Sequence, residues 1–386
     1  MIPEGQSAFP STFNGKPIVQ VSVTEIQEYM RCKRQWDYGS ANRQSLVRKG
    51  AAYGALSTGT IVHKGIEAQA MGKDPFAVAD EYIAQQKAEM EQAYLERVGT
   101  TMSPVEYEPF TTSMELAKTY LRNYLEHYGQ DTWAPFKLLH PEVTMRIPFY
   151  TAQGDLYAWL VGTCDGLLQN PSTRNLWVGE TKTFSQRPQL RDLLLDHQII
   201  GYPAMIQMLT GHKVEGVLYN GINKKLPVQP KKLQSGLLSR EWIDTTESAY
   251  IKAIKANGDN PGDEYYRDIL NRLRQRDQST ENPFYVRHRI TIPQSAVVEW
   301  VENVEKILWE IANDPLITFN KPWTGCWDCD FRDLCDGQLR GEDVQWITQA
   351  NYKRGTYGTQ KALAEDHGET QVGSLADLLK AVEISR

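Results

Sequence analysis

Asp165, Glu180 and Lys182 are the side chains whose types and spacing point most directly to chemistry. Asp165 lies in a strand-like stretch from Tyr157 to Leu168. Glu180 and Lys182 lie in another from Leu176 to Phe184, and the turn residues Asn170, Pro171 and Ser172 separate the two. A hairpin turning near Ser172 pairs residues whose numbers sum to about 344 or 345, which sets Asp165 opposite Glu180. Opposed residues bring their Cβ atoms to roughly 5 Å. Two carboxylates that close repel unless a cation sits between them, and a hard divalent ion such as Mg²⁺ or Mn²⁺ suits oxygen ligands at that separation. Lys182 leaves the same strand face as Glu180, two residues on. Its ammonium is therefore expected beside the ion, where it can orient or deprotonate an attacking water or stabilise charge building on a phosphate.

Other residues are spaced to contribute. His63 and Glu67 stand one helical turn apart on one face, and a neutral imidazole is a plausible third metal ligand. Gln198 and Tyr202 are also four apart, on the helix after the two strands, and offer amide, hydroxyl and ring to a nucleotide phosphate or base. His197 is unassigned. The net charge of -6 excludes a chain coated in positive charge, so contact with a polyanion falls to local patches. One comprises Arg31, Lys33, Arg34, Arg43, Arg48 and Lys49 against the single acid Asp37; a second is Lys224, Lys225, Lys231 and Lys232. If they flank the acidic centre, Arg34, Lys224 and Lys225 are placed to track a nucleic-acid backbone. No Ser/His/Asp or Cys/His arrangement competes for a nucleophilic role, and no G-x4-G-K-[ST] loop supplies a motor.

The cysteines form a separate constellation. Cys326, Cys329 and Cys335 make a C-x2-C-x5-C group, while Cys32 stands far upstream in YMRCKRQW. Four thiolates fit either Zn²⁺ or an iron–sulfur cluster. Structural zinc usually takes two close pairs, so the three-plus-one split favours a cubane cluster that ties the chain's beginning to its end. Cys164, on the opposite strand face from Asp165, reads as a small apolar core residue.

The elements that must position these residues follow from periodicity. Val23 to Tyr38 reads as one helix with Thr24 as N-cap, and Thr58 to Ala70 as a second. Phe76 to Val98 and Thr112 to Tyr128 read as a helical insertion at about 72–130. Strands Glu142 to Tyr150, Tyr157 to Leu168 and Leu176 to Phe184 form a meander, followed by a helix from about Pro188 to Thr210 and a strand from Val214 to Ile222. That order predicts an α/β core with helices flanking a mixed sheet. Downstream, Gly262 to Arg276 and Ser295 to Asn313 read as helices and Phe284 to Ile292 as a strand. The division expected is an N-terminal lead (1–20), one domain with cluster ligands at both ends (21–336), and a polar appendage (337–386) with a short helix near Leu375 to Val382.

With 386 residues, 41% of them hydrophobic, the chain can bury a large core. No repeat of solenoid length is visible. No apolar run is long enough to cross a bilayer, since Leu156 to Leu168 is short and broken by Gly162 and Asp165. The opening MIPEGQSAFPSTFNGKP is neither basic nor apolar, which predicts a cytoplasmic protein with no membrane partner, in the host cytoplasm if viral.

Taken in order, Ser22-x-Thr24-x-Ile26, Tyr29, Cys32, Arg34 and Trp36 lead to Gly59-x3-His63-x2-Ile66-Glu67. Gly162-x2-Asp165, Glu180-x-Lys182-Thr183, Gln198-x3-Tyr202 and the C-terminal cysteines then complete a pattern spanning residues 22–335. This pattern resembles the RecB-like branch of the PD-(D/E)XK nuclease superfamily, and within it the members with an iron–sulfur staple, such as AddB-type repair nucleases and CRISPR-associated exonucleases. The resemblance implies a restriction-endonuclease-like core and a metal held by His63, Asp165, Glu180 and the main-chain carbonyl of Thr181. It implies catalysis assisted by Lys182 and a [4Fe–4S] cluster on Cys32, Cys326, Cys329 and Cys335, with Zn²⁺ as the alternative occupant. It also implies DNA as substrate, attacked as single strands or at free ends, in repair, recombination or CRISPR adaptation. The expected reaction is one-step phosphodiester hydrolysis by water that the ion activates. Lys33 replaces the proline common after the first cysteine, and residues 337–386 match nothing in the family, which leaves a protein partner for that segment open. The lack of a fused motor suits a phage or small accessory system. The rival reading is a nuclease-fold DNA-binding or adaptor subunit, which would have lost an acid or the lysine; all three are present.

Overall fold

Two short strands, β1 (Thr12–Phe13) and β2 (Lys16–Pro17), pair with each other before β3 (Val19–Ser22) enters the main sheet. Helices α1 (Val23–Arg31) and α2 (Lys33–Gly39) and strand β4 (Leu46–Arg48) follow. Then come α3 (Ala55–Ala70), α4 (Pro75–Val98) and α5 (Pro104–Tyr128). The meander is β5 (Lys137–Tyr150), β6 (Leu156–Gln169) and β7 (Leu176–Phe184), and leads through α6 (Leu190–Leu193) and α7 (His197–Thr210) to β8 (Val214–Asn223). Next are α8 (Glu247–Ala256), α9 (Glu264–Asp277), β9 (Tyr285–Thr291) and α10 (Gln294–Asn313). The last described elements are α11 (Arg332–Arg340), α12 (Val344–Asn351) and β10 (Tyr352–Arg354). This computed structural model describes residues 12–49, 55–129, 131–313, 326–327 and 329–355. The expected helix from Leu375 to Val382 lies outside them.

Three of the boundaries that differ from the sequence reading do so for a clear local reason. The helix expected from Val23 to Tyr38 is broken at Cys32, whose backbone is extended (φ -157°, ψ 102°). Cys32 ends α1 and caps α2, its sulfur accepting from the Gln35 amide at 3.5 Å, while Ser22 and Glu25, not Thr24, form a capping box that starts α1. The helix expected from Thr112 begins at Pro104, because Ser103 and Glu106 form a second capping box and Pro109 is tolerated within the helix. The helix expected from Pro188 splits into α6 and α7, since Asp196 is extended and its carboxylate caps the Gln198 amide at 2.8 Å.

The main sheet runs β3-β6-β7-β8-β9, with β5 along the other edge of β6. β6 is long enough to be shared: β3 runs parallel to its first half, from Ala158 to Val161, and β7 antiparallel to its last residues, from Gly166 to Gln169. Between those two ladders, residues 162–165 face a fork. One sheet face packs on α1, α7 and α10 through Ile26, Tyr29, Ile199, Met205, Trp300 and Val304. The α3–α5 insertion has its own core of Ile61, Phe110, Met114 and Leu121, and α3 lies against β5 and β7. The inserted helices α8 and α9 form a small satellite core.

Residues 337–355 pack on the N-terminal segment. β10 pairs with β4, and Phe331 stacks on Tyr352 at 5.5 Å and packs on Tyr38, so described residues up to 355 join the N-terminal segment. No helix among the described residues is long and apolar enough to cross a membrane.

Candidate active site

The fork places the acids. The β6–β7 ladder runs Gln169 with Leu176 to Gly166 with Gly179, so the next position would set Asp165 against Glu180, as the spacing predicts. The ladder stops one pair short. Instead of a main-chain bond, the Asp165 carboxylate accepts from the Thr181 amide at 2.6 Å. β7 meanwhile turns to its partner β8, pairing Glu180 with Tyr219 and Lys182 with Gly221. Small residues make the fork possible: a Cβ on Gly162 would meet Tyr202 at 3.0 Å, and one on Gly179 would meet Trp133 at 2.6 Å.

His63 reaches the fork from α3, its Nδ1 3.3 Å from Asp165 Oδ1. Lys182 Nζ lies 2.6 Å from Glu180 Oε1 and donates to Gln198 Oε1 at 2.5 Å. Gln198 Nε2 in turn donates to Tyr202 Oη at 2.6 Å. Glu180 is 2% exposed, and among the described residues its Oε2 has no hydrogen-bond partner. A buried carboxylate oxygen left without a donor is costly to the fold, and acceptor capacity of this kind suits a hard cation.

The charges are unequal. Burial, reinforced by Asp165, pushes the Glu180 carboxyl up to about 7 although Lys182 opposes it. For Asp165, burial works upward but is outweighed by His63, Lys182 and the Thr181 amide, which hold it below the usual carboxylate range. Burial would depress Lys182, yet Glu180 and Asp165 override it, so the ammonium is held charged. His63 is likewise raised, Asp165 prevailing over burial. Among the described residues, no group of three or more His, Cys, Asp or Glu side chains converges closely enough to hold an ion as placed. Glu180 and Asp165 instead turn oxygens to Lys182 and Thr181.

The remaining expected residues divide. Tyr202 is 4% exposed and supports Gln198 from below, so its ring offers no stacking face. Arg34 turns to the C-terminal segment, its guanidinium 3.9 Å from Cys335 Sγ and 3.4 Å from Gln338 Oε1. Lys225 pairs with Asp244 at 2.5 Å, an acid outside the short run that looked free of them, and the Lys224 amide donates to the Phe184 carbonyl. Cys164 is fully buried and its thiol is pushed up by burial. His197 accepts from Trp300 at 3.0 Å. Cys326 is exposed, whereas Cys32, Cys329 and Cys335 are half-buried. The Cys329 thiol is raised mainly by burial, with Cys32 adding to the rise.

One residue escaped the sequence reading. Glu142 falls between the pairs Pro141–Gly166 and Val143–Cys164, level with Asp165, and its φ of 42° is left-handed. With His63, Glu67, Trp133, Thr163, Asp165 and others it lines a cavity of about 250 Å³. Burial and a hydrogen bond shared with Glu142 bring the Glu67 carboxyl up to about 7. A lone glutamate in a strand carries no spacing signal, so only the tertiary fold could reveal it.

Comparison with known proteins bears on the whole arrangement. A family model described as the PD-(D/E)XK nuclease superfamily matches residues 20–336. No curated protein matches the chain significantly. Among solved structures, a chain from Eubacterium rectale described as "Putative exonuclease" is 11% identical, with 81% of this chain and 87% of that chain covered and a TM-score of 0.35. At that score the likeness carries no argument about mechanism.

Proposed function

This chain belongs to the PD-(D/E)XK nuclease superfamily, and from that premise we propose that it is a divalent-metal-dependent deoxyribonuclease, an exonuclease acting on single-stranded DNA or DNA ends. The observation that carries the reading is Glu180, a buried carboxylate with one oxygen unpartnered, beside Asp165 and 2.6 Å from Lys182. Mg²⁺ or Mn²⁺ would be held by His63, Asp165, Glu180 and the Thr181 carbonyl, and when bound supplies Lewis acidity to the phosphate and lowers the pKa of water.

The chain's own groups do the rest. Lys182 keeps its proton, so it serves as a charged donor to a non-bridging phosphate oxygen as negative charge accumulates there. Gln198 and Tyr202 hold that ammonium in line, and the Asp196 cap fixes the start of their helix. The Thr181 amide restrains Asp165. The attacking water gives up a proton to solvent as its oxygen bonds to phosphorus, the phosphorus–oxygen bond to the sugar breaks, and solvent returns a proton to the departing sugar oxygen. For the cysteines we propose a [4Fe–4S] cluster on Cys32, Cys326, Cys329 and Cys335. The helix break at Cys32 and the contact of Arg34, two residues on, with Cys335 support this.

The decisive experiment incubates purified protein with Mg²⁺ or Mn²⁺ and single strands labelled at either end. Shortening from one end is expected. Lys182→Ala and Asp165→Asn should each lower the rate at least ~100-fold, and cutting that survives both changes would overturn the reading.

A further inference from the structure

The face of β5 and β6 that continues from the catalytic cavity carries groups the reaction does not use. Val143, Met145, Ile147 and Phe149 point into the main core with Cys164, Leu160 and Ala158. The alternate residues face the other way. Beyond Glu142, Thr144 pairs with Thr163, then Arg146 with Val161, then Pro148 with Trp159. The two threonine hydroxyls are 3.1 Å apart, and Thr163 lines the cavity that holds Asp165 and His63. The strip is therefore continuous with the candidate active site.

Arg146 is the unusual member. Its guanidinium carbon lies 4.0 Å from the centre of the Trp159 ring. Among the described residues its Nε is buried without a hydrogen-bond partner. Burial lowers its pKa, and no carboxylate of the described residues contributes an opposing pull. A partly buried cation without a counter-charge is costly to keep. The indole plate restrains the guanidinium and leaves its fork of donors pre-organised for an oxyanion.

We propose that Arg146 binds a non-scissile phosphate of the DNA strand being cut, with Thr144 and Thr163 guiding the backbone between it and Asp165. The proposal rests on the nuclease reading above and names a substrate-positioning residue within it. Val161, level with Arg146, precedes Asp165 by four residues, about 13 Å of strand. A stacked B-form strand covers that distance in about four nucleotides, and an extended single strand in fewer. A charge-assisted, two-pronged contact to phosphate is what guanidinium geometry favours.

The test uses the full chain. Arg146→Met keeps the packing on Trp159 and removes the charge, and Arg146→Lys keeps the charge. By fluorescence anisotropy with a labelled single strand and no divalent ion, Arg146→Met should bind about 10-fold more weakly, and the slope of log Kd against log salt should fall by about 1. Its Tm should match wild type, kcat should hold while KM rises, and Arg146→Lys should recover the salt slope. A walk of single methylphosphonates along the wild-type substrate should find one position, away from the cut bond, where neutralisation raises KM; Arg146→Met should be insensitive there. A flat walk in the wild-type protein, or an Arg146→Met slope equal to wild type, would overturn the proposal even if a variant misfolds. Failure to cut any DNA would instead count against the nuclease reading, while anisotropy would still report on Arg146.

Discussion

Among single residues, Glu180 and Asp165 carry the same carboxylate yet are driven apart by their surroundings. Glu180 sits under the fork, raised to about 7, whereas Asp165 is held low by His63, Lys182 and the Thr181 amide. The sign of the linkage follows. A carboxyl raised above its unfolded pKa contributes stability below about 4.5, its ordinary value, and that stability is lost as pH rises through about 7. A divalent ion held there as proposed would remove the penalty by binding the carboxylate form. Mg²⁺ is therefore expected to raise the Tm more at pH 8 than at pH 6, and Glu180→Gln should abolish that difference. Differential scanning fluorimetry with and without the ion decides it, and equal shifts at both pH values would contradict the assignment. The acid pair and the lysine were legible from alternation and turn position alone. Glu142 was not, because its place depends on a left-handed φ and on the register of a third strand.

Secondary-structure elements were legible wherever a local pattern sufficed. β7 was read to the residue, and the pairing sum of 345 for the hairpin is the observed one, as in Gly166 with Gly179. What the pattern could not express is that β6 has two partners on one edge, so that the ladder ends where the chemistry begins. Nor did it reveal the break at Cys32, since the residues on either side keep helical periodicity. The fork depends on bare backbone at Gly179, where an added Cβ would lie 2.6 Å from the Trp133 ring. Trp133 is 2% exposed and packed against Phe136, Leu168 and Trp177, so only its cavity side is open to movement. Gly179→Ala should cost about 1–3 kcal/mol, read as a lower urea midpoint at unchanged m-value. A midpoint equal to wild type would show that the indole moves freely and that the fork is not braced there.

At the scale of the whole molecule, ordinary protein contacts join the N-terminal and C-terminal parts of the described chain. β4 pairs with β10, Tyr38 and Tyr352 enclose Phe331, and Arg48 reaches Asp333 at 3.5 Å. The same segment supplies Cys32, at the end of α1, and α1 begins at Ser22 where β3 leaves the fork. A cluster spanning Cys32 and the C-terminal cysteines would thus brace the frame on which β6 and β7 diverge, at a distance from the acids. Anaerobically purified protein should then contain iron and acid-labile sulfide with broad visible absorbance, and Cys329→Ser should lose both. Because the protein contacts remain, the variant should stay folded with a lowered Tm, and its residual cutting should still depend on Lys182. Stoichiometric zinc without iron would replace the cluster with a zinc site, and a Cys329→Ser variant as thermostable as wild type would remove the bracing role altogether.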